Sequence, residues 1–151
     1  MTTMIYNSPI GPLHIAEQDG AITHLVFRPL DGTLGETPLL RQCAEQLDAY
    51  FAGELRTFDL PLAPAGTSFQ RRVWETLQTI PYGETWSYKS LAEAADCPRG
   101  YRAVGLANNR NPISILIPCH RVVGASGALT GYGGGLSNKA YLLDLEGIAL
   151  P

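Results

Sequence analysis

The fold of this chain is decided by residues 87–108, which read SYKSLAEAADCPRGYRAVGLAN. Apolar residues recur at helical spacing on both sides of Asp96-Cys97-Pro98, so the stretch predicts one short helix over 87–95 and a second over about 99–108. Two short helices joined by a tight turn are typical of a helix-turn-helix, whose second helix enters a DNA groove. Many helical hairpins bind nothing and share this pattern, so both interpretations stay open at this point.

The segment that follows carries the candidate chemistry. Asn111-Pro112 ends the second helix, and residues 115–122 then read ILIPCHRV. A free thiol with a pKa near 8.5 is only about 3% ionised at pH 7, so a nucleophilic cysteine needs a base or a positive charge nearby. His120 and Arg121 can supply both to Cys119. The alternative is that Cys119 is a small apolar residue at a strand end.

Helical patterns flank this region on both sides. A helix that begins with Ser68 as its cap is expected to end at Ile80-Pro81. After the cysteine, a glycine-rich loop at 131–135 precedes a last helix over about 137–146, which Gly147 closes.

The N-terminal part reads as a small mixed unit of strands and one helix. Asp19-Gly20 suits the positive φ values of a type I′ turn, so it predicts two antiparallel strands, with a third at Ile5-Tyr6. Thr37 and Pro38 begin a helix that Gly53 ends. Its apolar stripe, which we interpret as core, comprises Leu40, Cys43, Leu47, Tyr50 and Phe51.

A stretch rich in proline and glycine at 60–66 has the composition of an extended connector. It divides the chain into a predicted N-terminal domain, residues 1–66, and a predicted C-terminal domain, residues 67–151.

Composition excludes several classes of protein. The 151 residues are 45% hydrophobic, which is ordinary for a globular chain of one or two small domains. No run of 18 apolar residues and no secretory signal pattern occurs, so we expect a cytoplasmic protein that contacts no membrane. Three cysteines without a C-x-x-C pair argue against a disulfide framework. The spacing of His14, His24 and His120 matches no familiar zinc pattern, so no metal is expected.

The charge is divided unevenly between the two parts. The formal net charge is −3, yet residues 70–151 hold eight basic and six acidic side chains, whereas residues 1–69 hold three basic and eight acidic ones. The C-terminal part is therefore the candidate for an anionic ligand.

A set of motifs in the C-terminal part resembles one family. They are Phe69, Val73-Trp74, Pro81-Tyr82-Gly83, Ser87-Tyr88, Arg102-Ala103-Val104-Gly105, Asn111-Pro112, residues 117–122, Gly131-Tyr132, Leu142-Leu143 and Glu146-Gly147. In this order and spacing, the stretch from Phe69 to Gly147 resembles the O6-alkylguanine-DNA alkyltransferases, also called methylated-DNA–protein-cysteine methyltransferases.

The resemblance implies a fold and an activity. The fold is of the α/β (α+β) class, with a small N-terminal three-stranded antiparallel sheet and helices, followed by a winged helix-turn-helix domain. The activity is DNA repair: irreversible, single-turnover transfer of an alkyl group from the O6 of guanine, and in some members the O4 of thymine, to the protein's own cysteine. No cofactor is implied. The implied partner is double-stranded DNA, bound by a monomer that in some cases assembles cooperatively along it.

The resemblance also assigns catalytic roles. Cys119 is the nucleophile of an SN2 displacement, and His120 takes its proton, commonly through a water. Glu146 orients the imidazole; without the resemblance it would read as a surface residue of the last helix. Tyr88 donates a proton or hydrogen bond to the departing guanine, and Asn111 holds the backbone around the cysteine.

Further residues are assigned to the substrate and the DNA. Arg102 fills the gap left by the extruded nucleotide, and small residues of the same helix allow close approach to the backbone. The complete expected set comprises Ser87, Arg102, Ala103, Gly105, Val122, Tyr132, Gly133 and Lys139, with Ala107 beside it on the helix. Of these, Val122 reads the guanine edge with its backbone, Tyr132 and Gly133 form the pocket wall, and Lys139 assists Tyr88.

Three positions depart from common versions of the motifs, and the sequence disfavours three rival functions. Gly133, Ser114 and Tyr141 stand where relatives often have serine, proline and tryptophan, which predicts a roomier, more polar pocket. A lesion-binding protein without catalysis would lack Cys119. A cysteine hydrolase would not place its cysteine and histidine side by side, and a self-methylating transcription activator would need a further regulatory domain.

Overall fold

The computed structural model describes residues 1–150, which form strands and one helix in the N-terminal part and a mainly helical C-terminal part. The elements of the N-terminal part are β1 (Thr2–Ser8), β2 (Gly11–Gln18), β3 (Ala21–Val26), β4 (Thr33–Leu34) and α1 (Pro38–Phe51). Those that follow are α2 (Ser68–Leu77), β5 (Trp86–Ser87), α3 (Tyr88–Ala94), α4 (Tyr101–Asn109), a 3-10 turn (Cys119–Arg121), β6 (Val122–Val123) and α5 (Leu136–Leu145). None of the helices within residues 1–150 has the length and apolarity that a membrane crossing requires.

The N-terminal sheet has the order β3-β2-β1-β4. The hairpin between β2 and β3 turns at Asp19 (φ 52°) and Gly20 (φ 80°), which confirms the predicted type I′ geometry. The three antiparallel strands are those expected from the sequence. The two-residue β4 adds a parallel edge to β1, which the sequence analysis did not predict.

Helix α1 begins and ends where its local signals place it. The Thr37 side chain accepts a hydrogen bond from the Leu40 backbone N–H, Pro38 is the first helical residue, and Gly53 follows with φ 76°. Leu40, Cys43, Leu47 and Tyr50 are buried against the sheet side of the core, so Cys43 is a core residue as predicted.

The cap predicted for α2 was wrong by one residue. Thr67, not Ser68, is the N-cap, and its hydroxyl and the Gln70 side chain form a reciprocal capping box. A capping box requires a glutamine or glutamate three residues after the cap, and Gln70 stands at that distance from Thr67 only.

The region 87–109 forms the predicted pair of short helices, α3 and α4. Ser87 caps α3 by accepting from the Ser90 N–H, and Asp96 turns the chain between the helices with φ 58°. The short parallel pair β5–β6 connects the start of α3 to the segment after the cysteine, with Trp86 opposite Val122.

The two parts share one hydrophobic core. Backbone hydrogen bonds join Leu25 of β3 to Pro112 (3.0 Å) and Ser114 (2.9 Å), so the segment leading to the cysteine lies along the N-terminal sheet. On the other side, the Trp74 indole donates to the Ala107 carbonyl at 2.8 Å, which fixes α2 against α4. The segment leading to the cysteine is therefore held by β3, and α4, from which it continues, is held by α2.

Candidate active site

The loop before Cys119 is strained and is held by one asparagine. Ile115 has φ 72°, a conformation that β-branched residues avoid and that costs on the order of 1–3 kcal/mol. Asn111 spans this loop, since its side-chain amide donates to the Ile117 carbonyl at 2.8 Å and its oxygen accepts from the Ile113 N–H at 2.9 Å. The tight turn at residues 119–121 follows directly, so Asn111 fixes the corner that presents the sulfur.

Cys119 is only 5% exposed. Burial raises the pKa of its thiol, and the neighbouring Asn111 amide and the charge of Lys139 oppose that rise. A thiol in this setting rests protonated, so thiolate formation needs a base within reach.

His120 is fully buried and points one ring nitrogen at a carboxylate. Its Nε2 lies 2.7 Å from Oε2 of Glu146, while Nδ1 has no hydrogen-bond partner among residues 1–150. Burial lowers the pKa of His120, although Glu146 works in the opposite direction and Arg121 and Lys139 add to the lowering. The imidazole therefore rests neutral, and Nδ1 is the nitrogen left to accept a proton.

Glu146 is the centre of a buried hydrogen-bond network. Its two oxygens receive five hydrogen bonds, and the donors are His120, Arg121 (twice), Tyr50 and the Gly83 N–H. Burial alone would raise the pKa of the carboxyl, but the contacts with His120, then Arg121 and Tyr50, lower it to about 2. Because Arg121 is a permanent cation, Glu146 stays ionised while His120 is neutral.

Arg121 connects this network to the segment that follows α2. Its Nε and one terminal nitrogen bind Glu146 at 2.8 and 3.2 Å, and the other terminal nitrogen donates to the Ile80 carbonyl at 2.7 Å. The guanidinium lies 5.7 Å from the Tyr82 ring centroid. Each of the three guanidinium nitrogens of this buried cation is thus hydrogen-bonded.

Lys139 is a buried cation that contacts backbone carbonyls. Its ammonium donates to the Val122 and Thr130 carbonyls, both at 2.6 Å. Burial lowers its pKa to about 8, against a raising effect from Cys119. The Thr130 hydroxyl in turn lies 2.9 Å from the Tyr88 hydroxyl, so Lys139 and Tyr88 are linked through one residue.

The glycine-rich loop packs against the N-terminal sheet. The Tyr132 ring meets Phe27 edge-on, with centroids 5.8 Å apart, and a Cβ on Gly134 would lie only 2.4 Å from the same Phe27 ring. Gly133 faces open space instead. A groove of about 470 Å³ runs beside this loop, and Asn111, Ser114 and Gly133 are among its lining residues.

The expected DNA-facing residues differ in their placement. Arg102 and Ala103 are exposed on α4, while Gly105 faces the Tyr88 ring, where an added Cβ would lie 3.6 Å away. Ala107 was expected to face DNA, but it is 3% exposed and its carbonyl binds Trp74, so that expectation was wrong. Its small size serves helix packing.

The structure brings most of the predicted catalytic residues together and adds two. Cys119, His120, Glu146, Asn111 and Lys139 form one buried cluster, and Tyr88 reaches it through Thr130. Tyr50 was not among the predicted site residues, and Arg121 was expected only as a source of positive charge for Cys119, yet both bind Glu146. The position of Arg121 directly after the histidine was the available sequence signal for it; no local signal distinguishes Tyr50 from the other core residues of α1.

Two family descriptions match most of the chain. Residues 68–148 match the DNA binding domain of 6-O-methylguanine DNA methyltransferase, and residues 1–64 match the ribonuclease-like domain of the same family.

Individual relatives match over nearly the full length. The methylated-DNA–protein-cysteine methyltransferase of Methanosarcina barkeri is 52% identical over 150 residues, covering 94% of each chain. That of Mycolicibacterium paratuberculosis is 54% identical over 146 residues, covering 93% of this chain and 88% of the relative. The structure of Mycobacterium tuberculosis OGT in complex with DNA superposes with a TM-score of 0.90 at 49% identity, covering 97% of this chain and 92% of that one.

Proposed function

This chain belongs to the 6-O-methylguanine DNA methyltransferase family, and on that premise we propose that it repairs DNA by moving an alkyl group from the O6 of guanine to Cys119. The acceptor is the protein itself, so each molecule reacts once. The observation that supports this best is the hydrogen-bonded His120–Glu146 pair directly beside a buried cysteine.

In the resting site, the Cys119 thiol and the His120 imidazole are both neutral, and a proton transfer between them produces an ion pair. The Cys119 thiol gives its proton to Nδ1 of His120, directly or through a water, and the imidazolium that forms is stabilised by Glu146 through Nε2. The thiolate then attacks the alkyl carbon, forming the S–C bond as the C–O6 bond breaks and its electron pair stays on guanine. Lys139 supports the negative sulfur before the attack.

The departing guanine carries the charge that must be stabilised next. Tyr88 is the proposed donor to the base, because its hydroxyl lies at the edge of the cluster and is held by Thr130. The guanine anion finally takes up one proton, which balances the proton lost by the thiol. The Val122 carbonyl already accepts from Lys139 and keeps a second lone pair for the guanine edge.

A cysteine that is 5% exposed cannot meet a base inside a duplex, so the nucleotide must be extruded. We assign Arg102 to the gap left in the stack because it is exposed on α4. Ala103 leaves room there for the backbone of the DNA, while Ser87, at the cap of α3, lies on the same helical pair. Tyr132 and Gly133 are the proposed walls of the base pocket.

We also propose three further properties of this protein. They are activity on O4-alkylthymine, a monomer able to bind cooperatively along DNA, and a cytoplasmic location.

Mass spectrometry of the protein tests the proposal. After incubation with a duplex oligonucleotide containing O6-methylguanine, the peptide that contains Cys119 is expected to gain one methyl group, and the oligonucleotide to regain guanine. Cys119→Ser should abolish both changes, whereas Cys97→Ser, which alters a half-buried thiol in the turn between α3 and α4, should leave both intact. Restored guanine with unmodified protein would contradict the proposal.

A further inference from the structure

Tyr50 places a hydroxyl from the N-terminal part inside the catalytic network. It lies on α1, is 0% exposed, and donates a 2.6 Å hydrogen bond to Oε2 of Glu146, a residue 96 positions later in the chain. The same oxygen is 2.7 Å from Nε2 of His120. The phenol and the imidazole therefore share one acceptor atom.

We propose that Tyr50 is a positioning residue for alkyl transfer, whose hydroxyl limits the basicity of His120 by sharing Oε2 of Glu146. This inference rests on the proposed function. A hydrogen bond that a carboxylate accepts stabilises its charge and reduces how strongly it holds any other donor. Removal of the Tyr50 hydroxyl leaves more of the charge of Oε2 for the imidazole.

Packing alone does not account for a tyrosine at this position. The Tyr50 ring lies among the rings of Phe51, Phe58 and Tyr82, with centroids between 5.3 and 6.3 Å away. A phenylalanine would make the same ring contacts and would not bury a hydroxyl, which costs free energy unless it is hydrogen-bonded. The hydroxyl is explained by its bond to Glu146.

The charged and titratable groups around this network set the expected direction. Glu146, Arg121 and Lys139 face His120, while Glu146, Arg121 and Tyr132 face Tyr50. Burial, and then Glu146, raise the pKa of Tyr50 well above its ordinary range, so the phenol remains a donor throughout the working pH range. Tyr50→Phe removes that donor and changes none of the other groups.

Without the hydroxyl, Glu146 should stabilise the imidazolium more strongly, so the pKa of His120 should rise. We expect a rise of about half a pH unit or more in Tyr50→Phe. At a pH below this new value, more His120 is protonated and unable to accept the thiol proton. In the plot of alkyl-transfer rate against pH, the acidic limb, where the rate falls as the pH is lowered, should move to higher pH by the same amount.

The experiment compares two tyrosines on the N-terminal part. The titration of His120 is followed by NMR of protein labelled with ¹⁵N-histidine, in wild type, Tyr50→Phe and Tyr6→Phe. Tyr6 is the matched control, because its hydroxyl also binds a carboxylate of α1, that of Asp48, but lies on the exposed side of that helix. Single-turnover rates on an O6-methylguanine duplex are then measured against pH for the same three proteins.

An upward shift of both the His120 titration and the acidic limb in Tyr50→Phe, absent in Tyr6→Phe, is the expected result. An unchanged or lowered His120 pKa in folded Tyr50→Phe would overturn the inference, as would an equal shift in Tyr6→Phe. The titration is read on the free protein, so its outcome is independent of whether Cys119 accepts an alkyl group. A wild-type protein that transfers nothing would instead contradict the proposed function.

Discussion

At the scale of single residues, the site contains two buried cations, Arg121 and Lys139, which differ in whether a carboxylate neutralises them. Arg121 is neutralised by Glu146, whereas Lys139 contacts two backbone carbonyls and no carboxylate within residues 1–150. An uncompensated ammonium in a poorly solvated site exerts a stronger field than one paired with an acid. The charge of Lys139 lowers the pKa of the Cys119 thiol, and we therefore expect Lys139 to be the cation that supports the thiolate, whereas Arg121 keeps Glu146 ionised.

Lys139→Met should make Cys119 less reactive toward a simple thiol reagent. At pH 7.5 Lys139, with its pKa of about 8, is mostly charged, and its loss raises the pKa of the Cys119 thiol. We expect the rate of carboxamidomethylation of the Cys119 peptide by iodoacetamide to fall about three- to tenfold, a drop in thiolate fraction that half to one pKa unit produces.

Lys89→Met is the control for that measurement, because Lys89 is the chain's other lysine and is exposed on α3. It should leave the rate unchanged. Equal rates in Lys139→Met and wild type would show that the lysine charge does not reach the sulfur.

At the scale of elements, local sequence signals predicted where helices begin and end. They did not predict features that depend on contacts between distant parts of the chain. The limits of α1 were predictable because Thr37, Pro38 and Gly53 act on their own neighbours. Strand β4 has two residues and forms only through pairing with β1, so nothing within it identifies it. Ala107 has the size expected of a DNA-facing residue, but its orientation depends on Trp74, which lies 33 residues earlier.

The same limit applies to the site. The residues proposed for catalysis next to the cysteine, and Glu146, could be selected from the sequence because the motifs of the C-terminal part include them. The bond from Tyr50 to Glu146 was not, since it joins elements 96 residues apart and depends on how the two parts of the chain pack.

A substitution on helix α4 should separate extrusion of the nucleotide from the alkyl-transfer step. Arg102 is exposed on that helix. Arg102→Ala should therefore slow repair of O6-methylguanine in duplex DNA by about 10- to 100-fold, an amount consistent with a few kcal/mol of unstacking energy. The reaction with free O6-benzylguanine needs no extrusion and should change less than about twofold.

Arg41→Ala removes another exposed arginine, on α1, and should affect neither rate in the Arg102 experiment. Losses of the same size on duplex and free base in Arg102→Ala would assign Arg102 to the chemistry and remove it from extrusion.

At the scale of the whole molecule, one carboxylate joins the two parts of the chain. Glu146 receives Tyr50 from the N-terminal helix, Gly83 from the loop after α2, and His120 and Arg121 from the cysteine segment. Removing a charge from such a centre affects both parts at once. We therefore expect the network proposed for catalysis to contribute to the stability of the fold as well.

Stability should consequently fall on acidification, through two groups with the same sign. The folded-state pKa of Glu146 is about 2, below its ordinary 4.5, so its contribution is present above about pH 4.5 and is lost as the pH falls toward 2. The lowered pKa of His120 likewise favours unfolding as the pH falls below 6.5. We expect the free energy of unfolding, from urea denaturation, to drop by roughly 3 kcal/mol between pH 5 and pH 2 on account of Glu146.

Glu146→Gln isolates that contribution, because the amide does not titrate. The variant should be less stable at pH 7, since Arg121 loses its ionic partner, and its stability should change much less between pH 5 and pH 2. Glu36→Gln, at an exposed pair with Arg41, should keep the wild-type slope. If Glu146→Gln retained the full acid dependence, the ionised carboxylate would not be the group that holds the two parts together.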